Sequence, residues 1–264
     1  MAFCTLPMKF RAVSAVLVNS LLSSIWASTQ DVYKRQAVWW VLALAVNKQL
    51  LLPSPLEVGE RFCALIVQGE FWVITVSSLL RVLAGFALGM VVGLAMAILM
   101  HKSKIIFALF SPFIKAVRAT PVASFIILAL VWITSGRLPV FISFLMVLPV
   151  AWANATSGIE NTDKQLLEMA AIFKVKTWRV WVDIYWPSLR PYLLAAATTG
   201  LGLAWKSGIT AEVIASPKFA IGSELQSAKV YLETPDIFVW TIVVVFLSIV
   251  LEKLLLRLLR KGMS

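Results

Sequence analysis

Charge is scarce in this sequence. Of its 264 residues, 14% are Asp, Glu, Lys or Arg, against about 25% in an ordinary soluble domain. Sixty per cent are apolar and the mean hydropathy is +0.89. A water-soluble globule needs a charged skin, and 13 acids and 24 bases do not supply one over this much apolar chain. A soluble globule and a disordered chain are both excluded. Cysteine is nearly absent. Cys4 and Cys63 are far apart and form no CxxC, which argues against a disulfide framework and a thiolate zinc site. The one histidine, His101, has no neighbouring ligand residues, so it reads as a loop residue rather than a metal ligand. Twelve glycines and 11 prolines give no collagen or linker signal. No paired carboxylates and no Ser-His-Asp set fall on one aqueous face, so nothing supports a membrane enzyme.

What the chain does have is long apolar runs. A helix crossing about 30 Å of hydrocarbon needs about 20 mostly apolar residues. Five stretches qualify or come close: Phe71–Met100, interrupted by Arg81; Ile105–Thr134; Leu138–Ala155; Tyr192–Ala215; and Ile237–Leu256. In the second, Lys115, Arg118 and two prolines come early, which leaves about Val117–Thr134 as the buried part. Membrane β-strands would be segments of about 10 residues of alternating polarity. These runs are continuous, so the expected fold is an all-α polytopic transmembrane bundle of six helices, the first of them damaged. Trp39, Trp40, Trp72, Trp152 and Trp240 fall near span ends, where interfacial anchors sit.

The basic residues give the bundle an orientation. Alternating the spans puts His101–Lys104, the segment holding Lys164, Lys174, Lys176, Arg179 and Arg190, and the tail holding Lys253, Arg257, Arg260 and Lys261 on one side. The other side receives Arg137 and a loop where Lys218 and Lys229 are offset by Glu224, Glu233 and Asp236. Cytoplasmic loops carry the Lys/Arg excess, so the first side faces the cytoplasm. The net charge of +11 is thereby accounted for without nucleic acid. The expected location is a bacterial inner membrane, with the lipid bilayer as solvent.

Residues 1–36 do not fit this pattern. Lys9 and Arg11, a short apolar run and Ala27-Ser28-Thr29 resemble a signal peptide. The run Ala37–Val46 spans only about 15 Å at 1.5 Å per residue, half a bilayer. Upstream stands the polar hexapeptide Asp31–Gln36, which resembles translated adaptor sequence. The expectation is a chimeric start through about Gln36 that overwrites half of a first helix, with residues 37–264 as the membrane domain. An ordinary signal-like or cytoplasmic segment is the alternative.

The cytoplasmic segment 160–190 carries the most information. Thr162 with Gln165 fits a capping box. Leu166, Met169, Ala170 and Phe173 share one helical face, and Trp178, Trp181, Val182 and Tyr185 repeat the spacing. Two short amphipathic helices are expected, meeting at a bend near Lys174–Lys176, the second ended by Pro187. An apolar stripe outside the membrane needs a cover, which is either the chain's own helix ends and the lipid interface or a partner.

Glu168, Ala170, Ile184 and Pro187 stand in the register of the EAA loop, so the segment resembles that of ABC importer permeases. Three positions depart from the pattern: Met169 for Ala, Lys174 for Gly and Trp186 for Leu. A left-handed backbone at the bend would cost Lys174 about 1 kcal/mol. Leu52–Pro55, Ser78–Phe86, Arg118–Pro121 and Gly200–Ser207 are similar to the nitrate/sulfonate/taurine type, so the resemblance covers about Leu51–Leu259. It implies a type I importer permease that pairs with a second copy, as a homodimer, around a central path.

The same resemblance implies two cytoplasmic ATPase subunits docking on Leu166, Glu168, Ala170, Phe173, Lys174, Ile184 and Pro187, and an extracytoplasmic solute-binding protein. It implies no cofactor in this chain, because ATP belongs to the partner. Gly200–Ser207 echoes a phosphate loop but has Trp205 where the Gly before Lys206 is required. Lys206 and Glu212 are ionisable groups within a span and therefore candidate path residues, together with Ser207. The plainer reading has Lys206 snorkelling and Glu212 near the outer interface. Six residues apart, the two lie about 120° from each other around the helix and should not pair. An ion-gradient-driven transporter would show an internal repeat, and none is evident; a non-transporting scaffold is the other alternative.

Overall fold

The computed structural model describes Trp39, Trp40 and residues 52–261. The doubtful start 1–36 lies outside the described residues, as does most of the half-length run after it. The chain divides into two units, 1–61 and 62–264. Helix α1, Pro55–Ile66, opens on a reciprocal capping box. There the Glu57 amide donates to Ser54 Oγ (3.3 Å) and the Ser54 amide to Glu57 Oε2 (3.0 Å).

The larger unit is all-helical among the described residues. Its elements are α2 Gly69–Lys102, α3 Lys104–Ala119, α4 Val122–Ala129, α5 Leu138–Glu160, α6 Lys164–Ile172 and α7 Thr177–Arg179. A π-helical turn, Val180–Tyr185, then leads into α8 Trp186–Ala215, followed by α9 Ile221–Tyr231 and α10 Thr234–Lys261. Helices α2, α5 and α10 are long and apolar enough to cross a bilayer. Helix α8, at 30 residues, is as long but carries Arg190, Lys206 and Glu212.

Helix α5 lies between α2 and α8. Gly85, Gly89, Gly93 and Ala97 recur every four residues on α2 and so form one face. A Cβ on Gly89 would stand 2.6 Å from Val147 Cβ, and one on Gly93 2.6 Å from Ala151 Cβ. In lipid no hydrophobic effect drives helices together, so close backbone approach between small residues does so instead. Gly208 of α8 meets Val82 and Ser143 just as closely. Ser143 Oγ donates to the Ala204 carbonyl (3.1 Å), and Trp205 Nε1 to that of Val244 on α10 (3.1 Å). Leu80, Leu88 and Val91 on α2 and Val245, Phe246 and Ile249 on α10 remain exposed, as lipid-facing residues do.

The structure corrects four expectations. The second apolar stretch is not one continuous span, because α3 and α4 meet at a bend of 108°. Thr120 is extended (φ −86°, ψ 134°) because a residue before proline is pushed out of the helical region. The cap of α6 is Asp163, whose side chain accepts from the Gln165 amide (2.8 Å). Thr162 instead donates to the Gly158 carbonyl (3.0 Å). Pro187 does not end a helix. It lies in the first turn of α8, where a missing N–H is tolerated because the wider turn before it has already shifted the bonding, the Trp186 amide reaching back to the Trp181 carbonyl. Trp240 is no interfacial anchor; it is buried and stacks on Phe71 at 5.2 Å.

Replacing Gly89 by Leu should abolish the α2–α5 approach and lower the yield of monodisperse protein in size-exclusion chromatography. Gly202→Ala, with nothing within 4 Å of the new Cβ, should elute as the parent does.

Candidate functional site

Segment 160–190 folds as a hook. Helix α6 ends in paired reverse hydrogen bonds, from the Val175 amide to the Ala170 carbonyl (2.9 Å) and from the Lys174 amide to that of Ala171 (3.1 Å). This is the Schellman arrangement, which needs a left-handed residue at its corner. Lys174 supplies it with φ 49°. The residue standing where the resembling loops carry Gly therefore takes the backbone that Gly would take, at the local cost noted above.

The hook divides the expected stripe. Ala170 turns inward and is buried, whereas Leu166, Met169, Ile172 and Phe173 are exposed, the last two by 77% and 75%. Ile172 belongs to this outer patch and was missed by the heptad-like spacing, because only a structure says which of two adjacent apolar rows faces in. Glu168 is exposed and meets no cation among the described residues. Ile184 is half-buried in the π-helical turn, and its carbonyl accepts from Ser188 Oγ (2.8 Å). Lys174 and Pro187 are exposed.

The three candidate path residues do not converge. Lys206 lines a cleft of about 270 Å³ between α8 and α10 with Thr198, Thr199, Ser248 and Glu252. Ser207 is buried on another side, and its hydroxyl is satisfied by the Leu203 carbonyl of its own helix (2.8 Å). Glu212 is fully buried in a network that joins α2, α8 and α9. Ser78 Oγ donates to Glu212 Oε2 (2.8 Å) and accepts from the Ile221 amide (2.9 Å). The Gly222 amide also donates to Glu212 Oε2 (3.2 Å). Arg81 Nη1 reaches Glu212 Oε1 at 3.4 Å and also donates to the Phe219 carbonyl at 2.9 Å, while Nη2 donates to the Lys218 carbonyl at 2.9 Å. Two N-terminal amides of helix α9 and the 218–219 backbone are thereby fastened to α2 and α8. An arginine near one span start and a glutamate near another span end, at matched depth, was the sequence signal for this pairing.

On the same outer side, Glu224 of α9 has its carboxyl held above the ordinary carboxylate range. Burial is the main cause, with the Glu70 and Asp236 charges adding to it.

The fold is a bundle with several helices long and apolar enough to cross a membrane. Residues 89–263 match the family described as "Binding-protein-dependent transport system inner membrane component". The chain belongs to this family and is a permease subunit of an inner-membrane ABC transport system. It is 29% identical over 217 residues to a probable ABC transporter permease of Brucella melitensis, covering 82% of this chain and 87% of the relative. It is 24% identical over 234 residues to the taurine transport system permease of Escherichia coli, covering 86% and 84%. To a putative aliphatic sulfonates transport permease of Bacillus subtilis it is 27% identical over 210 residues, covering 78% and 75%.

Arg81→Met should lower stability by about 3 kcal/mol, because it leaves the buried Glu212 carboxylate without its counter-charge. Arg81→Met with Glu212→Met should cost less than the single change, as thermal unfolding in detergent would show. Raising the Glu224 pKa favours its neutral form in the fold, so that contribution is present at acid pH and lost as pH rises through the folded-state pKa. Glu224→Gln should therefore raise the melting temperature at neutral pH, and the gain should vanish near pH 4.

Proposed function

We propose that this chain couples ATP hydrolysis by cytoplasmic ATPase subunits to import of a small anionic or organic solute. Two copies form the path, and an extracytoplasmic solute-binding protein delivers the cargo. The observation that carries the reading is the apolar patch Leu166, Met169, Ile172 and Phe173, which lies outside the membrane-spanning helices and is uncovered. Exposed apolar residues on a short helix are laid into a partner's groove in helix-in-groove recognition. The nearby bases Lys164, Lys174 and Lys176 suit an acidic rim on that partner, and the exposed Glu168 suits a basic residue within it.

Lys206 is the proposed path contact. Lys206 is exposed and lines the α8–α10 cleft with Thr198, Thr199, Ser248 and Glu252, and no salt bridge engages it among the described residues. A cation at membrane depth is expensive, and a passing anion is a partner that compensates it. Glu212 is assigned the structural role that its network implies, and Ser207 the packing role of a hydroxyl bonded to its own helix. The taurine and sulfonate relatives support an anionic or zwitterionic cargo.

Phe173→Asp should abolish co-purification of the ATPase subunit with this chain while leaving the permease monodisperse. Lys206→Ala should reduce ATP-dependent uptake about tenfold without loss of the ATPase subunit, in the range of one lost charged contact. Uptake driven by an ion gradient without ATP, or ATPase binding unaffected by Phe173→Asp, would overturn the reading.

A further inference from the structure

The cytoplasmic end of α2 is gripped by the π-helical turn. Trp181 and Tyr185, four residues apart across that turn, stack at 4.5 Å with their planes 26° apart. The Tyr185 ring meets His101 at 6.3 Å, edge on, and Lys102 Nζ stands 5.6 Å from the centre of the Trp181 ring. Both aromatic rings also pack against the buried cluster of Ala97, Ala155, Ile159 and Leu189, which joins α2, α5 and α8. A cation over an aromatic face is held by the ring's quadrupole, so Lys102 ties the end of α2 to the turn by more than contact. A π-helical turn is rare and is found frequently at functional sites. Here it sets both rings against α2 while the chain passes from the hook into α8.

Helix α2 has little freedom to absorb a push at this end. It runs unbroken for 34 residues, about 51 Å at 1.5 Å per residue. Its glycine face is closed against α5, and at the far end Ser78 and Arg81 fasten it to α8, α9 and the 218–219 backbone. A displacement of Trp181 therefore travels along α2 to the outer side.

We infer that Trp181, seated by Lys102 and Tyr185, is a positioning residue through which the docked loop moves α2, carrying ATPase closure to the outer end of the path. The inference rests on the coupling reading above. It assigns the transmission to this clasp and leaves attachment to the separate outer patch on α6.

The test uses the permease with its ATPase subunits in nanodiscs, in a Cys4→Ser, Cys63→Ser background. Spin labels are placed at Lys176→Cys beside the hook or, separately, at Val73→Cys on the exposed outer part of α2. Distances between the two permease copies are measured without nucleotide and with ATP and vanadate. In the parent both distances should change on nucleotide trapping. With Trp181→Ala, the change at residue 176 should persist and the change at residue 73 should shrink several-fold; Trp181→Phe should restore most of it. Lys102→Met, which leaves the stacked rings in place, should give an intermediate loss and carries the test where Trp181→Ala does not assemble. An unchanged outer shift in an assembled Trp181→Ala or Lys102→Met complex overturns the inference. If the parent does not hold the ATPase at all, it is the coupling reading that fails.

Discussion

Between α2 and α5 there is no room for a side chain over three successive turns. Gly85, Gly89 and Gly93 admit the backbone of α5 so closely that any Cβ there would overlap Val140, Val147 or Ala151. Association in lipid depends on such packing because apolar surface gains nothing by leaving an apolar solvent. That one seam fixes the rotation of α2 and with it everything at its ends. It turns Ser78 and Arg81 toward Glu212 in its first half, and His101 and Lys102 toward the π-helical turn at its C-terminal end.

The few charges in this apolar fold are handled in three ways. Many bases stay in the segments between and after the spans, where a Lys/Arg excess is expected to orient the chain. Glu212 is withdrawn from solvent, Arg81 is half-buried beside it, and donors and acceptors surround both, which is the condition under which a buried ion pair is tolerated. Every polar atom contributed by Ser78, by the carboxylate and by the amides of Ile221 and Gly222 has a partner there. Lys206 is the exception, because its charge faces a cleft. That contrast separates the residue proposed to meet cargo from the one that holds the outer loop in place.

Much of this was legible in the sequence because period and composition report burial. The span positions of α2, α5 and α10, the hook and the bend at Lys174 all follow from apolar runs and helical spacing. The break at Thr120–Pro121 was signalled by proline, yet an apolar run on both sides hid how sharply the chain turns. Whether Ala170 or Ile172 faced outward could not be read, because both rows of α6 are apolar and the neighbour that covers one of them is distant in sequence. Pro187 misled for a related reason: proline stops a regular helix, but the wider turn ahead of it removes the conflict. Glu212 was recognised as unusual, while its partners lay 134 and 131 positions away.

The hook and the clasp divide the labour of one segment. In the proposed coupling, its exposed row offers attachment and its half-buried aromatics Trp181 and Tyr185 meet the membrane helices, so force applied to the first would reach the second within a few residues. Attachment is the step on which the rest depends. Photocross-linking from a photoreactive residue placed at Phe173, in native membranes, tests it most directly. Docking predicts an adduct with an ATPase subunit, identified by its nucleotide-binding peptides. Adducts with lipid or with this chain alone would contradict it.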